Sequence, residues 1–507
     1  MLFAIGWSLW FVFAGFGNHY DPPYWLYKFQ TLECGWMAIG TILTGGALVR
    51  LFGANLLMLR LAAWLAVAAS IVLPYCCLLN QEQRRNNIHW LALAFAFMNY
   101  GAFQEFSAGT LTVLLLSAIW VGAVKGDNRI SEILTAVLAG LAVTIRFPNI
   151  LVLLILIPLW RKKSLWLVPI AALTAGLVYG IGYALITPVS MDPLMGSHGI
   201  GEMITSLWER GSVLLLYLIV GGGVMAIGNK FQISNFKYQI LAGILVGAIL
   251  SYYVTYAIPT WKWYNIDLTY MVAAMVISIT LYRYTVIPRD HVLLIGLLVL
   301  MIATMGTDMA WLKLFPAVLC LLPVAAVQYE APMRRYLFPV LAIFAVTVMI
   351  RFSINSVGSS NLRVSNTPSQ IAPYTHIRIM DKEEAYLQQL IADHDSLTLL
   401  YQRPVLAFGA DMHLMRAVTG CQTALYNEFW SNIFDAGYTG KYQPLIEAEQ
   451  PVVFCAFTPR FKGANDHDTE SCLENMLRDH GYTPLDRSSY KYMIYLPPSG
   501  NDQIVNE

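Results

Sequence analysis

The sequence predicts a polytopic α-helical membrane protein with about 13 transmembrane helices, outer juxtamembrane helices and a small C-terminal α/β domain. Three observations carry this. Of 507 residues, 57% are hydrophobic and only 12% charged, with a mean hydropathy of +0.55, a composition outside the soluble globular range. Apolar runs near the roughly 20 residues that a spanning helix needs recur from residue 1 to about residue 350. The character then changes: from Arg351 onward twelve Lys/Arg stand against eighteen Asp/Glu, with ordinary globular patterning. A near-neutral whole therefore divides into a basic membrane part, 1–351, and an acidic tail, 352–507. No basic stripe interleaves with aromatics, so nucleic acid is not an expected partner.

The first helix, 1–17, lacks a basic leader, and Gly15-Phe16-Gly17-Asn18 is a poor cleavage site, so it reads as a retained helix and not a signal peptide. Residues 18–58 follow. Their apolar stretch is broken by Gly35, Gly40, Gly45, Gly46 and Gly53. Helices lying in the outer interface fit this stretch, with Tyr24, Trp25, Tyr27 and Trp36 at headgroup depth. A spanning helix here would invert every later loop. The remaining spans are expected at 59–79, 88–103, 109–124, 131–146, 149–160, 164–187, 212–228, 238–258, 267–282, 291–306, 314–328 and 337–351. In the tail, strands are expected at 397–401, 452–457 and 492–496, and helices at 382–393 and 471–480, an alternation that suits a small α/β unit.

Charge sets the orientation. Arg84/Arg85, Lys125/Arg129, Arg161/Lys162/Lys163, Lys230/Lys237, Arg283/Arg289 and Arg334/Arg335 fall in alternate short loops, and these hold thirteen of the twenty Lys/Arg before residue 351. Such loops face the cytoplasm. The N-terminus then lies inside, while 18–58, 188–211 and the tail lie outside. Asp21, Glu33, Glu105, Asp192, Glu202, Glu209, Asp267 and Asp308 all fall on the outer segments. Cys34, Cys76, Cys77 and Cys320 lie in or near apolar segments as packing residues. Cys421, Cys455 and Cys472 leave room for one disulfide in the tail, and no cysteine or histidine has zinc spacing.

Three outer residues point to chemistry. Asp21 lies in His19-Tyr20-Asp21-Pro22-Pro23-Tyr24-Trp25, where the first helix ends; the plain alternative is a turn-forming loop acid before Pro-Pro. Glu105 lies in a connection so short that its carboxylate must sit at the membrane surface, where ionisable groups are costly and often functional; the alternative is a helix-start acid favoured by the dipole. Arg146, in Thr144-Ile145-Arg146-Phe147-Pro148-Asn149, is the only charge between Glu132 and Arg161 and stands at an outer turn against the positive-inside trend. Snorkelling lets an arginine persist there, and its fork suits a phosphate. Arg60 is a weaker candidate of the same kind. A carboxylate that deprotonates an acceptor hydroxyl or holds a divalent metal, beside a cation that meets a departing phosphate, forms a coherent set. Trp261, Lys262 and Trp263 would line a sugar cavity or form an interfacial aromatic belt. His198 and Asp308 are cavity candidates that also read as ordinary loop residues.

Asp21, Leu51-Phe52-Gly53, Arg60-Leu61, Glu105, Arg146-Phe147-Pro148 and Gly306-Thr307-Asp308, in that order, resemble the C-type (GT-C) glycosyltransferases. The similarity is to the bacterial branch related to protein O-mannosyltransferases and the lipid A aminoarabinose transferase. Here one acid, preceded by His19, stands where the family has a pair; Glu105 replaces an Asp, and Arg146 a Lys. The resemblance implies transfer of a sugar from a polyprenyl-phosphate donor, generally with inversion, to a lipid, glycan or protein acceptor on the outer face of the cytoplasmic membrane. It implies that Asp21 acts as base or metal ligand, with Arg146 near the donor phosphate; Glu105 is then expected as the second catalytic or metal-binding carboxylate, and Arg60 and His19 as further donor-binding residues. The alternatives are a lipid-linked saccharide transporter or flippase, which predicts inverted repeats and midplane charges, and an O-antigen polymerase or ligase.

Overall fold

A computed structural model of the chain describes residues 1–15, 21–34, 38–98, 106–126, 128–160, 165–188, 291–304, 314–328, 331–354, 367–409, 411–423, 436–456, 466–485 and 492–498. The protein is mostly helical. The described helices are α1 (Leu2–Phe13), α2 (Asp21–Thr31), α3 (Ile39–Phe52), α4 (Leu56–Leu78), α5 (Gln81–Asn86), α6 (Ile88–Phe97), α7 (Ala108–Lys125), α8 (Arg129–Ile145), α9 (Val152–Trp160) and α10 (Leu167–Leu185). They continue with α11 (Val292–Met301), α12 (Leu314–Gln328), α13 (Ala331–Ile354), α14 (Asp381–Tyr401), α15 (Met412–Thr419), α16 (Ala436–Glu449) and α17 (Asp466–Asp479). The expected spans at 212–228, 238–258 and 267–282 lie outside the described residues.

Among the described residues, three helices are long and apolar enough to cross a membrane: α4, α7 and α10. At 1.5 Å per residue they run about 27 to 35 Å, close to the hydrocarbon thickness. The other apolar helices are shorter, so a count of thirteen spans does not follow from the fold. The helix expected at 88–103 stops at Phe97, and the one expected at 149–160 opens as a 3-10 turn over Phe147–Leu151.

Helix α4 is the hub, lying against α7, α12 and α1, while α7 also lies against α8 and α11. Polar side chains pin these contacts inside the apolar mass. Trp64 Nε1 donates to Ser8 Oγ at 3.0 Å, Cys320 Sγ to Ser70 Oγ at 3.2 Å, and Trp120 Nε1 to the Val292 carbonyl at 2.8 Å. Each bond removes a polar group that would otherwise be costly to bury. On the far side α13 closes on α6, with Trp90 edge-on to Phe338 at 5.3 Å.

Two short strand pairs come first, β1 (Glu33–Cys34) with β2 (Thr187–Pro188) and β3 (Thr367–Pro368) with β4 (Arg378–Ile379). The tail then carries a sheet of β5 (Val405–Gly409), β6 (Gln422–Thr423), β7 (Val452–Ala456), β8 (Thr483–Leu485) and β9 (Met493–Leu496), in the order β6-β5-β7-β9-β8. β5 pairs in parallel with β6 and β7, while β9 is antiparallel to β7 and β8. Val405–Phe408 and Val452–Cys455 are buried throughout, as expected of strands covered on both faces. The strands expected at 452–457 and 492–496 and the helix at 471–480 agree with β7, β9 and α17. No disulfide forms among the described residues.

The strand expected at 397–401 is instead the last part of α14. This helix opens with Asp381, Glu383 and Glu384 in its first turn, and Glu383 Oε2 accepts from the Met380 amide at 3.0 Å. No breaker follows until Gln402 takes a left-handed conformation before Pro404. The apolar run was misleading because its two core-facing residues are at helical spacing: Leu397 and Tyr401 pack against the tail core, while Leu399 is 79% exposed and Leu400 49%.

Candidate functional site

Several chain ends meet at one end of the bundle. Gly15, just past α1, adopts φ 100°, a left-handed conformation that glycine tolerates. Its amide donates to the Arg378 carbonyl at 2.8 Å, and its carbonyl accepts from Arg60 Nη1 at 2.8 Å. The Leu56 amide, opening α4, donates to the Pro373 carbonyl at 3.1 Å. The residues after α2 and α10 join as two short parallel strands, Glu33–Cys34 with Thr187–Pro188. Thr41 Oγ1 in α3 donates to the Ile145 carbonyl at the end of α8 at 2.9 Å. Arg146 Nη1 donates to the Ala303 carbonyl, just past α11, at 2.9 Å. The ends of α1, α8, α10 and α11, the starts of α3 and α4, the residues after α2, and the tail therefore gather together. The bond from Trp120 to Val292, by contrast, joins the opposite ends of α7 and α11.

Asp21 is the first residue of α2, with Pro22 and Pro23 in its opening turn, where their missing amides cost no helical hydrogen bond. Glu105 lies outside the described residues; its neighbour Phe106 is buried against Phe29 of α2, ring centroids 6.0 Å apart. Arg146 caps α8 in an extended conformation. Asn149 holds this turn: its amide donates to the Arg146 carbonyl at 2.9 Å, while its Nδ2 donates to Thr112 Oγ1 at 2.9 Å and to the Ala142 carbonyl at 2.8 Å. Arg60 is only 1% exposed, with its guanidinium bonded to the main chain at Gly15. His19, His198, Trp261, Lys262, Trp263 and Asp308 lie outside the described residues. Among the described residues no group of three His, Cys, Asp or Glu could hold a metal ion.

A polar cluster that sequence reasoning missed lies along α2. Lys28 is 4% exposed, with its ammonium 3.9 Å from Glu33 Oε2. The Tyr27 hydroxyl donates to the same carboxylate oxygen at 2.5 Å. The Arg416 guanidinium of α15 stands 3.7 Å from the centre of the Tyr27 ring, and His413 meets the edge of Tyr24 at 5.0 Å. One available signal was the spacing of Tyr24, Tyr27 and Lys28, which brings a lysine onto two aromatic faces within a single turn.

Taken together, these features define a helical bundle with several apolar helices, whose polar and charged side chains collect where a tail carrying a sheet docks. Compared with known proteins, the chain matches no protein-family model and no curated sequence. Its fold is similar to two crystal structures of ArnT from Cupriavidus metallidurans. One is in the apo state (11% identity, 97% of this chain and 96% of that one, TM-score 0.45). The other is bound to undecaprenyl phosphate (12% identity, 97% of each chain, TM-score 0.45).

Proposed function

We propose that the chain is a membrane glycosyltransferase that moves a sugar from a polyprenyl-phosphate donor to an acceptor at the bundle end where the tail docks. The observation that carries this reading is the gathering described above. The helix that begins with Asp21, the start of α4 that carries Arg60 and the turn that presents Arg146 share one end, although 125 positions separate Asp21 from Arg146 in the sequence. The positive-inside rule assigns that same end to the outer face, with the N-terminus and the cationic loops in the cytoplasm. We read residues 1–351 as the catalytic membrane part and 352–507 as an outer α/β domain.

In this reading the Asp21 carboxylate takes the proton of an acceptor hydroxyl as its oxygen attacks the anomeric carbon. The bond from that carbon to the donor phosphate breaks, the electron pair leaves with the phosphate, and the configuration inverts. Negative charge grows on the phosphate, so a fixed cation in a poorly hydrated site stabilises the transition state more than the ground state. In this reading Arg146 supplies that cation, and its bond to the Ala303 carbonyl holds one corner of the fork. Glu105 is the second carboxylate, directing the acceptor or holding a divalent ion. Arg60 is already committed to the Gly15 carbonyl, and in this reading it braces the junction of α1 and α4 beside the site.

The test uses purified full-length protein, labelled polyprenyl-phosphate sugars and cell-envelope extract, with the fold checked independently. Transfer is expected. Asp21→Asn should reduce it by about 100-fold or more, the range of a lost general base. Arg146→Ala should weaken donor use by about 10- to 100-fold, as expected of a lost charge-assisted contact. Folded protein that transfers nothing, or Asp21→Asn turning over at the wild-type rate, would end the proposal.

A further inference from the structure

We propose that Arg416, on the tail helix α15, is a positioning residue: it fixes α2, and through α2 the residue at its first position, Asp21. What Asp21 does rests on the transfer reading above; where α2 is held does not. Helix α2 has eleven residues, about 16 Å of helix, and is below the length at which an isolated helix is stable in water. Its place must come from its neighbours. On one side α3 offers Gly45 and Gly46, where added Cβ atoms would collide with Phe29 and Leu32, so α2 seats directly on the backbone of α3. On the other side lies α15.

The contact with α15 is matched in register. His413 and Arg416 are three residues apart on one helix, and Tyr24 and Tyr27 are three apart on the other. His413 meets Tyr24, and Arg416 stacks on Tyr27. The Tyr27 ring is constrained from several directions. Arg416 stands 3.7 Å over it, Lys28 lies 5.4 Å from its centre, and its hydroxyl is bound to Glu33. A planar guanidinium stacked on an aromatic face resists sliding in a way that a flexible chain does not. Beyond α15, Tyr386 of α14 donates to Asp411 Oδ2 at 3.2 Å, which ties the start of α15 to the rest of the tail. The tail is therefore joined to the bundle both at Gly15 and at the helix that carries the candidate base.

The experiment compares hydrogen exchange and transfer kinetics in the full-length chain in detergent. Arg416→Met should raise amide exchange over residues 24–31 by about tenfold, the loss expected of a partly desolvated cation–π contact, and leave α4 and α7 unchanged. It should lower kcat about tenfold with the donor KM held within about twofold, because α2 moves and the donor contacts do not. Arg416→Lys keeps a cation over the ring but loses the planar stack, so both quantities should fall between those of the wild type and Arg416→Met. Tyr27→Leu removes the ring while leaving Arg416 in place and should reproduce the Arg416→Met pattern, should that variant fold poorly. Unchanged exchange over 24–31 overturns the proposal. So does an unchanged kcat in Arg416→Met where Asp21→Asn is inactive. Exchange that responds in a chain whose wild type transfers nothing would sink the transferase reading and leave the positioning of α2 standing.

Discussion

The turn that presents Arg146 is held by one side chain, and the cost of removing it can be worked out. Asn149 is fully buried, and its Nδ2 spans Thr112 Oγ1 at 2.9 Å and the Ala142 carbonyl at 2.8 Å. Asn149→Leu keeps similar bulk and deletes both bonds. The Ala142 carbonyl retains the Arg146 amide at 3.2 Å, so its loss is an ordinary hydrogen bond, about 1 kcal/mol. Thr112 Oγ1 is left buried without its donor, a penalty of about 1–3 kcal/mol. Asn149 Oδ1 is buried with no hydrogen-bond partner among the described residues, so its removal offsets about 1 kcal/mol; the sum is about 1–3 kcal/mol, or roughly 5- to 150-fold in the folding equilibrium. Thr112→Val replaces the hydroxyl with a methyl of similar shape, so in the double variant most of the Thr112 penalty should disappear. Reversible unfolding of the full chain in mixed detergent, run on the wild type, both single variants and the double variant, gives the coupling as a cycle. A coupling near zero, or a double variant no more stable than Asn149→Leu alone, would refute the account of this turn.

Other expectations follow from the same contacts. Arg60→Met should destabilise by about 1–3 kcal/mol, because the buried Gly15 carbonyl loses its donor; Gly15→Ala should do so by about 1–2 kcal/mol through the left-handed backbone, and both are read by the same unfolding assay. In the tail, His480 Nε2 lies 3.2 Å from Glu447 Oε1. Hydrogen bonds to the Met476 carbonyl and to Glu447 raise the His480 pKa above its ordinary 6.5, and Gln443 and His480 lower that of Glu447 below 4.5. The histidine's contribution is full below pH 6.5 and is lost as pH rises through its raised value; the carboxylate's is full above pH 4.5 and is lost as pH falls through its lowered value. The contact therefore supports the tail between those limits. A nuclear magnetic resonance titration placing His480 at or below 6.5 would contradict it.

The long helices were legible because α4, α7 and α10 are apolar on every side, so that a run of hydrophobic residues is itself the signal. Helices were expected within 18–58, but Asp21 before Pro-Pro read as a turn-forming loop acid and not as the start of α2; Arg146 stood out as a cation on the wrong side of the charge pattern. The cluster around Tyr27 was legible only in its local half, the spacing of Tyr24, Tyr27 and Lys28; Arg416 lies 388 positions beyond Lys28, and nothing local names it as a partner. Asn149 was hidden for a related reason: a lone asparagine after Phe-Pro reads as a turn former, and only the fold brings Thr112 to it. The error at 397–401 has a different origin. Local β-propensity was read in a stretch where a helix capped sixteen residues earlier simply continues, with two leucines facing outward.

The two-sided grip on Gly15 also bears on the order in which the protein is built. A chain emerges from its N-terminus, and α1 and α4 are made while the tail is still unmade. Arg60 can reach the Gly15 carbonyl early, but the carbonyl of Arg378 that takes the Gly15 amide arrives 363 residues later, shortly after that of Pro373, which takes the Leu56 amide. Until then two amide donors at this end of the bundle wait on water or lipid headgroups. Biogenesis therefore finishes at the place where it began, and a nascent chain stopped short of residue 373 would have α4, α7 and α10 and still lack a closed end.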